Sequence, residues 1–239
     1  MSTPALLAVA HGTRNPAGPE TVRALLDRVR ALRPWLDVAE AYAEIASPLL
    51  EDVVAVADGP VVAVPLMLAR GYHALVDIPG RLRLSPGGWN EHTVMARPLG
   101  PHSLLGAALV DRLSAGRKAD AIVLGAAGSS DPAGISDVRV AARLLARRLQ
   151  RPVSYGFVAA GEPSLAAVVD DLRCRGARRV AVASYLLAPG FFHDRMLAAG
   201  ADHVGPPIGA HDAVARLILR RYDEALVRSR LEPQVAAAG

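Results

Sequence analysis

The chain has 239 residues, 51% of them hydrophobic and 21% charged, with a formal net charge of +4 and one cysteine. That length holds one large domain or two of ordinary size, and the composition excludes a long disordered chain, a disulfide framework and a cysteine-based metal cluster. The longest apolar run, "VVAVPLMLA" from Val61 to Ala69, is far short of the roughly 20 residues needed to cross a bilayer, so no membrane partner is expected.

The first residues, "MSTPALLAVAHG", carry no basic leader and read as a first strand rather than a signal peptide. A single Cys174 suits a reducing, cytoplasmic location. Nearly all the positive charge is arginine, Lys118 being the one lysine. The arginines of "ARLLARRLQR" and "ILRRYDEALVRSR" alternate with apolar residues at helical spacing, so they read as solvated helix faces, and no nucleic-acid partner is expected. A mildly basic molecule does suit a polyanionic small ligand.

In chain order, apolar runs predict strands at Ala5 to Ala10, Val38 to Ala43, Val61 to Leu68 and Thr93 to Ala96. Helical patterns fall between them, from about Gly18 to Arg33, Pro48 to Ala57, Tyr72 to Leu84 and His102 to Ala115. The second half repeats the order. Strands are predicted near Ala121 to Leu124, Val153 to Val158, Val180 to Leu187 and Val204 to Ile208, with helices near Gly134 to Gln150, Ser164 to Arg175, Phe191 to Ala199 and Asp212 to Arg228. Continuous apolar strands alternating with helices predict an α/β class, with two similar lobes, each a parallel four-stranded sheet flanked by helices. The expected division is 1–116, 117–230 and a flexible tail over 231–239.

Three local matches support a duplication. "HGTRNPAG" (His11 to Gly18) matches "AGSSDPAG" (Ala127 to Gly134), "ASPLLEDVV" matches "GEPSLAAVV", and "LARG" matches "LAPG", all at nearly the same separation. Features kept in both halves are candidates for architecture; His102 and His211, near corresponding helix starts, belong there. Features found in one half are candidates for function. His11 becomes Ala127, Glu44 becomes Ala159, and His73 aligns with Phe192, or with His193 if one gap is allowed.

A lone histidine at a strand end is ordinarily a hydrogen-bonded structural residue, and a lone glutamate a solvated one. The joint loss of His11, Glu44 and His73 from the second half favours function for the set. All three follow strands, so a parallel sheet brings them to its carboxyl edge, where open α/β folds bind ligands. Two imidazoles and a carboxylate suit a divalent first-row metal and leave positions open for exchange. In "GTRNPAG", Thr13 and Arg14 sit where a helix N-terminus can hold carboxylates or phosphates, and Arg70 offers a second anion clamp. Neither a GxGxxG nor a Walker A loop is present, so no organic cofactor and no ATP requirement is expected. A histidine phosphatase would place an arginine where Ala10 stands.

The motifs "AHGTRNP", "AEIASPLLEDVV" and "VPLMLARGYHALVDIP", with "YLLAPGFFHDRM" in the second half, resemble the class II tetrapyrrole chelatases of the CbiX/SirB type. The resemblance spans nearly the whole chain. It implies two α/β lobes around a cleft and ATP-independent insertion of Fe²⁺, Co²⁺ or Ni²⁺, as substrate, into a sirohydrochlorin-type tetrapyrrole on the way to siroheme or cobalamin. It matches the metal-binding histidines to His11 and His73, with Glu44 as the acidic residue; Thr13, Arg14, Arg70 and Tyr72 are the substrate-binding candidates. Arg97 is a further candidate for the macrocycle's carboxylates, and His193 for a side chain lent across the cleft. Half-length members of the family pair, so this chain is expected to be a monomeric covalent pseudo-dimer. Insertion must remove two pyrrole protons, which suits imidazole, with its ordinary pKa near 6.5. The competing expectation is a metal or tetrapyrrole carrier that binds without turnover.

Overall fold

The computed structural model describes residues 3–56, 59–71, 76–84 and 93–236. The first half runs β1 (Ala5–Ala10), α1 (Ala17–Leu32), β2 (Val38–Tyr42), α2 (Leu50–Ala55), β3 (Val61–Pro65), α3 (Ile78–Leu84), β4 (Thr93–Met95) and α4 (Ser103–Leu113). A 3-10 turn at Ser114–Lys118 leads to β5 (Ala121–Ala126), α5 (Pro132–Leu149), β6 (Ser154–Phe157), α6 (Leu165–Cys174), β7 (Val180–Tyr185), α7 (Phe191–Leu197), β8 (His203–Val204) and α8 (Asp212–Ala236). Every strand pairing is parallel, in the orders β2-β1-β3-β4 and β6-β5-β7-β8. The two lobes thus repeat one topology.

Side chains alternate across each strand. In β1, Leu6, Ala8 and Ala10 join a core shared by both halves, whereas Leu7 and Val9 face a separate cluster under α2 and α3. The second sheet has its own outer cluster under α6 and α7. Between the sheets lies a layer of α1, α4, α5 and α8. In α1 the buried residues Val22, Leu25, Leu26 and Val29 keep helical spacing, and each buried apolar side chain of this size contributes roughly 1.5–3 kcal/mol. Pro34 stops that helix, because the residue before a proline avoids the helical conformation. Asp131 starts α5 by accepting from the Ala133 N–H, with Pro132 in the first turn.

The last helix of each half lies on the other half. α4 packs against α5 and β7, while α8 packs against α1, β3 and β4. The two sheets therefore share one core through exchanged helices.

Several elements depart from the sequence reading, β8 among them: it is His203–Val204, where a strand from Val204 to Ile208 was expected. β3 ends at Pro65 instead of Leu68, and β7 at Tyr185 instead of Leu187. Beyond β3, Leu66 is 4% exposed in the shared core, Leu68 and Ala69 pack against that core, and the Leu68 carbonyl accepts a hydrogen bond from Tyr185 of the other half. Apolar periodicity does not distinguish that burial from a strand. α8 continues to Ala236, past the Arg228 at which the sequence reading ended the helix. Arg221, read as part of a solvated face, is 7% exposed, and its guanidinium donates to the carbonyls of Pro98 and Leu99. Among the described residues no helix is long and apolar enough to cross a membrane.

Candidate functional site at the carboxyl edge of the first sheet

In an open parallel sheet, the crevice forms at the strands' carboxyl ends, where successive crossovers leave on opposite faces. In the first sheet that point lies beside β1, with α1 on the inner face and α2 on the outer. His11 is the first residue past β1 and is exposed. The parallel ladder runs on beyond both strands: the Ala43 N–H donates to the Ala10 carbonyl at 2.8 Å, and the Glu44 N–H to the His11 carbonyl at 2.9 Å. Glu44 is also exposed, so both side chains leave from one edge.

Gly12 permits that closeness. Its φ is +99°, and a Cβ there would lie 1.8 Å from the Glu44 carbonyl oxygen. No side chain fits. Ile45, directly after Glu44, has a φ of 68°. A β-branched residue adopts that left-handed conformation at a cost of about 1–3 kcal/mol. It is also 57% exposed. The sequence reading missed Ile45, although an apolar residue breaking out of the buried pattern beside Glu44 was a usable signal.

The "GTRNPAG" loop is built the same way in both halves. Thr13 Oγ1 accepts from the Asn15 N–H at 3.2 Å and Asn15 Oδ1 from the Ala17 N–H at 3.0 Å. In the second half Ser129 Oγ accepts from Asp131 N–H at 3.0 Å, and Asp131 Oδ1 from Ala133 N–H at 2.8 Å. One face of the Thr13 hydroxyl thus serves the turn, and its proton remains available to donate. Arg14 is exposed and makes no ion pair among the described residues.

Arg70 is placed differently from the expected clamp. Its Nε and Nη2 donate to the Asp137 carboxylate of α5 at 3.0 and 2.7 Å, and that carboxylate is 3% exposed. A buried carboxylate requires such partners, so this guanidinium is bound across the lobes. Tyr72 and His73 lie outside the described residues, and among those described no three His, Cys, Asp or Glu side chains gather as a metal site. Arg97 pairs with Glu224 at 2.8 Å and lines a groove of about 870 Å³ with Arg216 and Arg220, one that neither His11 nor Glu44 lines. His193 Nε2 sits 3.4 Å from the Gly205 carbonyl oxygen. His102 and His211 are helix caps: each Nδ1 accepts from a backbone N–H at 3.1 Å, from Leu104 and Ala213 respectively.

The carboxyl-edge loops of the two sheets meet. A Cβ on Gly190 would lie 3.4 Å from Thr13 Oγ1, and one on Gly71 would lie 4.0 Å from Ser129 Oγ. Directly after Gly190 come Phe191 and Phe192, 65% and 41% exposed, with their rings edge to face at 5.4 Å. Exposed aromatic rings thus follow the glycine that meets the Thr13 loop, and His11 and Glu44 leave the sheet edge from which that loop starts.

The CbiX family model matches residues 5–115 and again 121–225. The sirohydrochlorin cobaltochelatase of Methanococcoides burtonii is 29% identical over 120 residues, 45% of this chain and 92% of that protein. The sirohydrochlorin ferrochelatase of Priestia megaterium is 27% identical over 232 residues, covering 90% of this chain and 87% of that protein. Among solved structures, SirB from Bacillus subtilis with Fe³⁺ aligns with a TM-score of 0.78 at 23% identity, over 96% of this chain and 98% of that one. The double match, one per half, accounts for two copies of one topology with the histidine and glutamate kept in the first. The chain belongs to the CbiX family.

Proposed function

We propose that the chain is a sirohydrochlorin chelatase, inserting Fe²⁺ or Co²⁺ into a sirohydrochlorin-type macrocycle without ATP. The observation that carries the reading is the pairing of His11 with Glu44 through the hydrogen-bonded ends of β1 and β2. The second half keeps the equivalent hydrogen bond, Ala159 N–H to Ala127 carbonyl at 2.9 Å, and replaces both side chains by methyl groups. Relatives named for this activity with cobalt and with iron support the substrate class.

In this reading His11 and His73 present the divalent ion as neutral imidazoles, and Glu44 completes the site. As the ion enters the macrocycle, the two pyrrole N–H protons leave, and the exposed Glu44 carboxylate and the imidazoles are their acceptors on the same face. Phe191 and Phe192 offer ring surface to the macrocycle plane, and Arg14 meets its carboxylates. One chain supplies both walls of the cleft, so it acts as a monomer. The free, exposed Cys174 fits a cytoplasmic setting.

The test is turnover. Sirohydrochlorin with Co²⁺ or Fe²⁺ is mixed with a small amount of protein, and the metallated absorption bands are followed. Product well beyond one equivalent per chain is expected; product that stops at one equivalent means a carrier instead.

A further inference from the structure

The peptide that joins Ala43 to Glu44 is held from both sides. Its N–H donates to the His11 carbonyl at 2.9 Å, and its carbonyl oxygen, that of Ala43, accepts from Arg81 Nη1 on α3. One residue on, the Glu44 carbonyl accepts from the Ala46 N–H at 2.6 Å, closing the turn through Ile45. The backbone is therefore tied on either side of the Glu44 Cα. Of these three bonds, the one from Arg81 alone comes from a side chain.

Arg81 is itself braced. Its Nε and Nη2 donate to the two oxygens of the Glu51 carboxylate on α2, the second at 2.7 Å, and Nη1 lies 3.7 Å from Asp77 Oδ2. A guanidinium can grip a carboxylate along one edge and still aim its third nitrogen at a carbonyl. Glu44 is among the carboxylates whose charge acts on Arg81, after Glu51 and Asp77. The arginine thus reaches Glu44 through the backbone and through its field. Glu51 balances its positive charge, which lessens repulsion of a cation held at the sheet edge. The Arg81 and Glu51 side chains are 24% and 37% exposed, and pairs that open to solvent contribute little to stability.

The second half keeps the peptide and drops the arginine. There the Ala159 N–H still donates to the Ala127 carbonyl at 2.9 Å. Glu51, however, is matched by Ala166, and Arg81 by Gly200, or by Ala201 if one gap is allowed. The brace accompanies the glutamate and is missing where that position is alanine. A contact that only held a helix on its sheet would serve both halves, as the Thr13 and Ser129 turns do.

We propose that Arg81 is a positioning residue for Glu44, fixing the direction in which that carboxylate leaves the sheet edge. This rests on the reading of Glu44 as part of the metal site. Groups that orient metal ligands from behind typically change affinity by about 10–100-fold when removed.

The experiment titrates Co²⁺ alone into the full-length chain and records the visible absorption of the bound ion. Arg81→Met keeps the apolar stem and removes the guanidinium; it is expected to weaken Co²⁺ binding by about 10-fold and to move the bound-ion spectrum toward that of Glu44→Ala. Added to Glu44→Ala, the same change should weaken binding no further, because no carboxylate is left to orient. Arg33→Met is the control. It breaks a two-pronged pair with Asp223, its arginine also 24% exposed, and should leave Co²⁺ affinity alone. If Glu44→Ala weakens binding while Arg81→Met stays within twofold of the parent, the positioning role is wrong and the metal site stands. A full 10-fold loss on top of Glu44→Ala, or an equal loss in Arg33→Met, also overturns the role, since the effect then reaches the ion by another route. If Glu44→Ala binds Co²⁺ as the parent does, the site and the positioning role fall together. Should Arg81→Met not fold, Glu51→Gln, which loosens the brace, is measured with and without Glu44→Ala and decides by the same outcomes.

Discussion

The Glu44 N–H donates to the His11 carbonyl oxygen at 2.9 Å, so two side chains far apart in sequence leave adjacent points on one sheet edge. Gly12 is the residue whose loss breaks that relationship. Gly12→Ala puts a methyl group on the Glu44 carbonyl at a φ of +99°, which costs about 1–3 kcal/mol for the backbone conformation alone. Gly128→Ala meets the Ala160 carbonyl at 2.1 Å with a φ of +127°. Thermal melts should show comparable losses for the two, while Co²⁺ affinity falls sharply for Gly12→Ala and little for Gly128→Ala.

His11→Ala and Glu44→Ala should remove enzyme-dependent insertion, a loss of at least 100-fold by analogy with loss of metal-ion catalysis. Both side chains are exposed, so the melting temperature should stay within a few degrees of the parent. An initial-rate assay beside a thermal melt checks both; insertion at the parent rate in His11→Ala means the site lies elsewhere.

His102 and His211 cap α4 and α8. Replacing either by Ala should cost about 1 kcal/mol of stability and leave Co²⁺ affinity intact, with Asn restoring most of the loss. Burial, with Arg221 and Arg220 nearby, pushes the His102 imidazole below its usual 6.5. The unfolded chain then binds the proton more readily, so this residue's contribution declines as pH drops below about 6.5. His102→Asn should flatten that decline in melts taken from pH 8 to pH 5.

Glu224 governs a second, more acidic window. Burial alone would raise its pKa, but hydrogen bonds from Arg220, Arg97 and Arg221 outweigh it and hold the carboxyl at about 2, below the ordinary 4.5. A carboxyl lowered by folding adds stability above its unfolded value, and that stability is lost as pH falls from about 4.5 toward 2. Glu224→Gln should be less stable than the parent at neutral pH and nearly equal to it at pH 2, as read by urea unfolding at each pH.

The exchange of α4 and α8 makes the two halves interdependent. Fragments 1–116 and 117–239, produced separately, each lack the helix that covers their sheet, exposing Leu6, Ala8 and Leu124 among others of the shared core. Each fragment alone should bind a hydrophobic dye and lack a cooperative melt; mixing them should restore both the melt and Co²⁺ binding. Two independently cooperative fragments would contradict the shared core.

The sequence carried much of this arrangement. Buried parallel strands announce themselves as continuous apolar runs, so β1 and β2 were legible nearly to the residue and β5 and β7 from their first residues, and the comparison of the two halves singled out His11 and Glu44. What stayed hidden was contact between halves. Arg70 looked like a free anion clamp because nothing local to it reveals Asp137, a residue on a helix of the other lobe. Leu66 and Leu68 looked like strand for the same reason. The helix exchange was equally invisible, since α4 and α8 carry apolar faces that fit either sheet.

That exchange also bears on how a doubled gene arises. α4 finishes on the second sheet, so the end of the first repeat already lies beside the start of the next, and the short turn Ser114–Lys118 is all the joint required. A relative such as the archaeal cobaltochelatase aligns with about half of this chain over most of its own length. Two such copies that had traded terminal helices would be fused in frame without any linker having to evolve. Once joined, the copies no longer had to be identical: one carries His11 and Glu44 at its sheet edge where the other has Ala127 and Ala159.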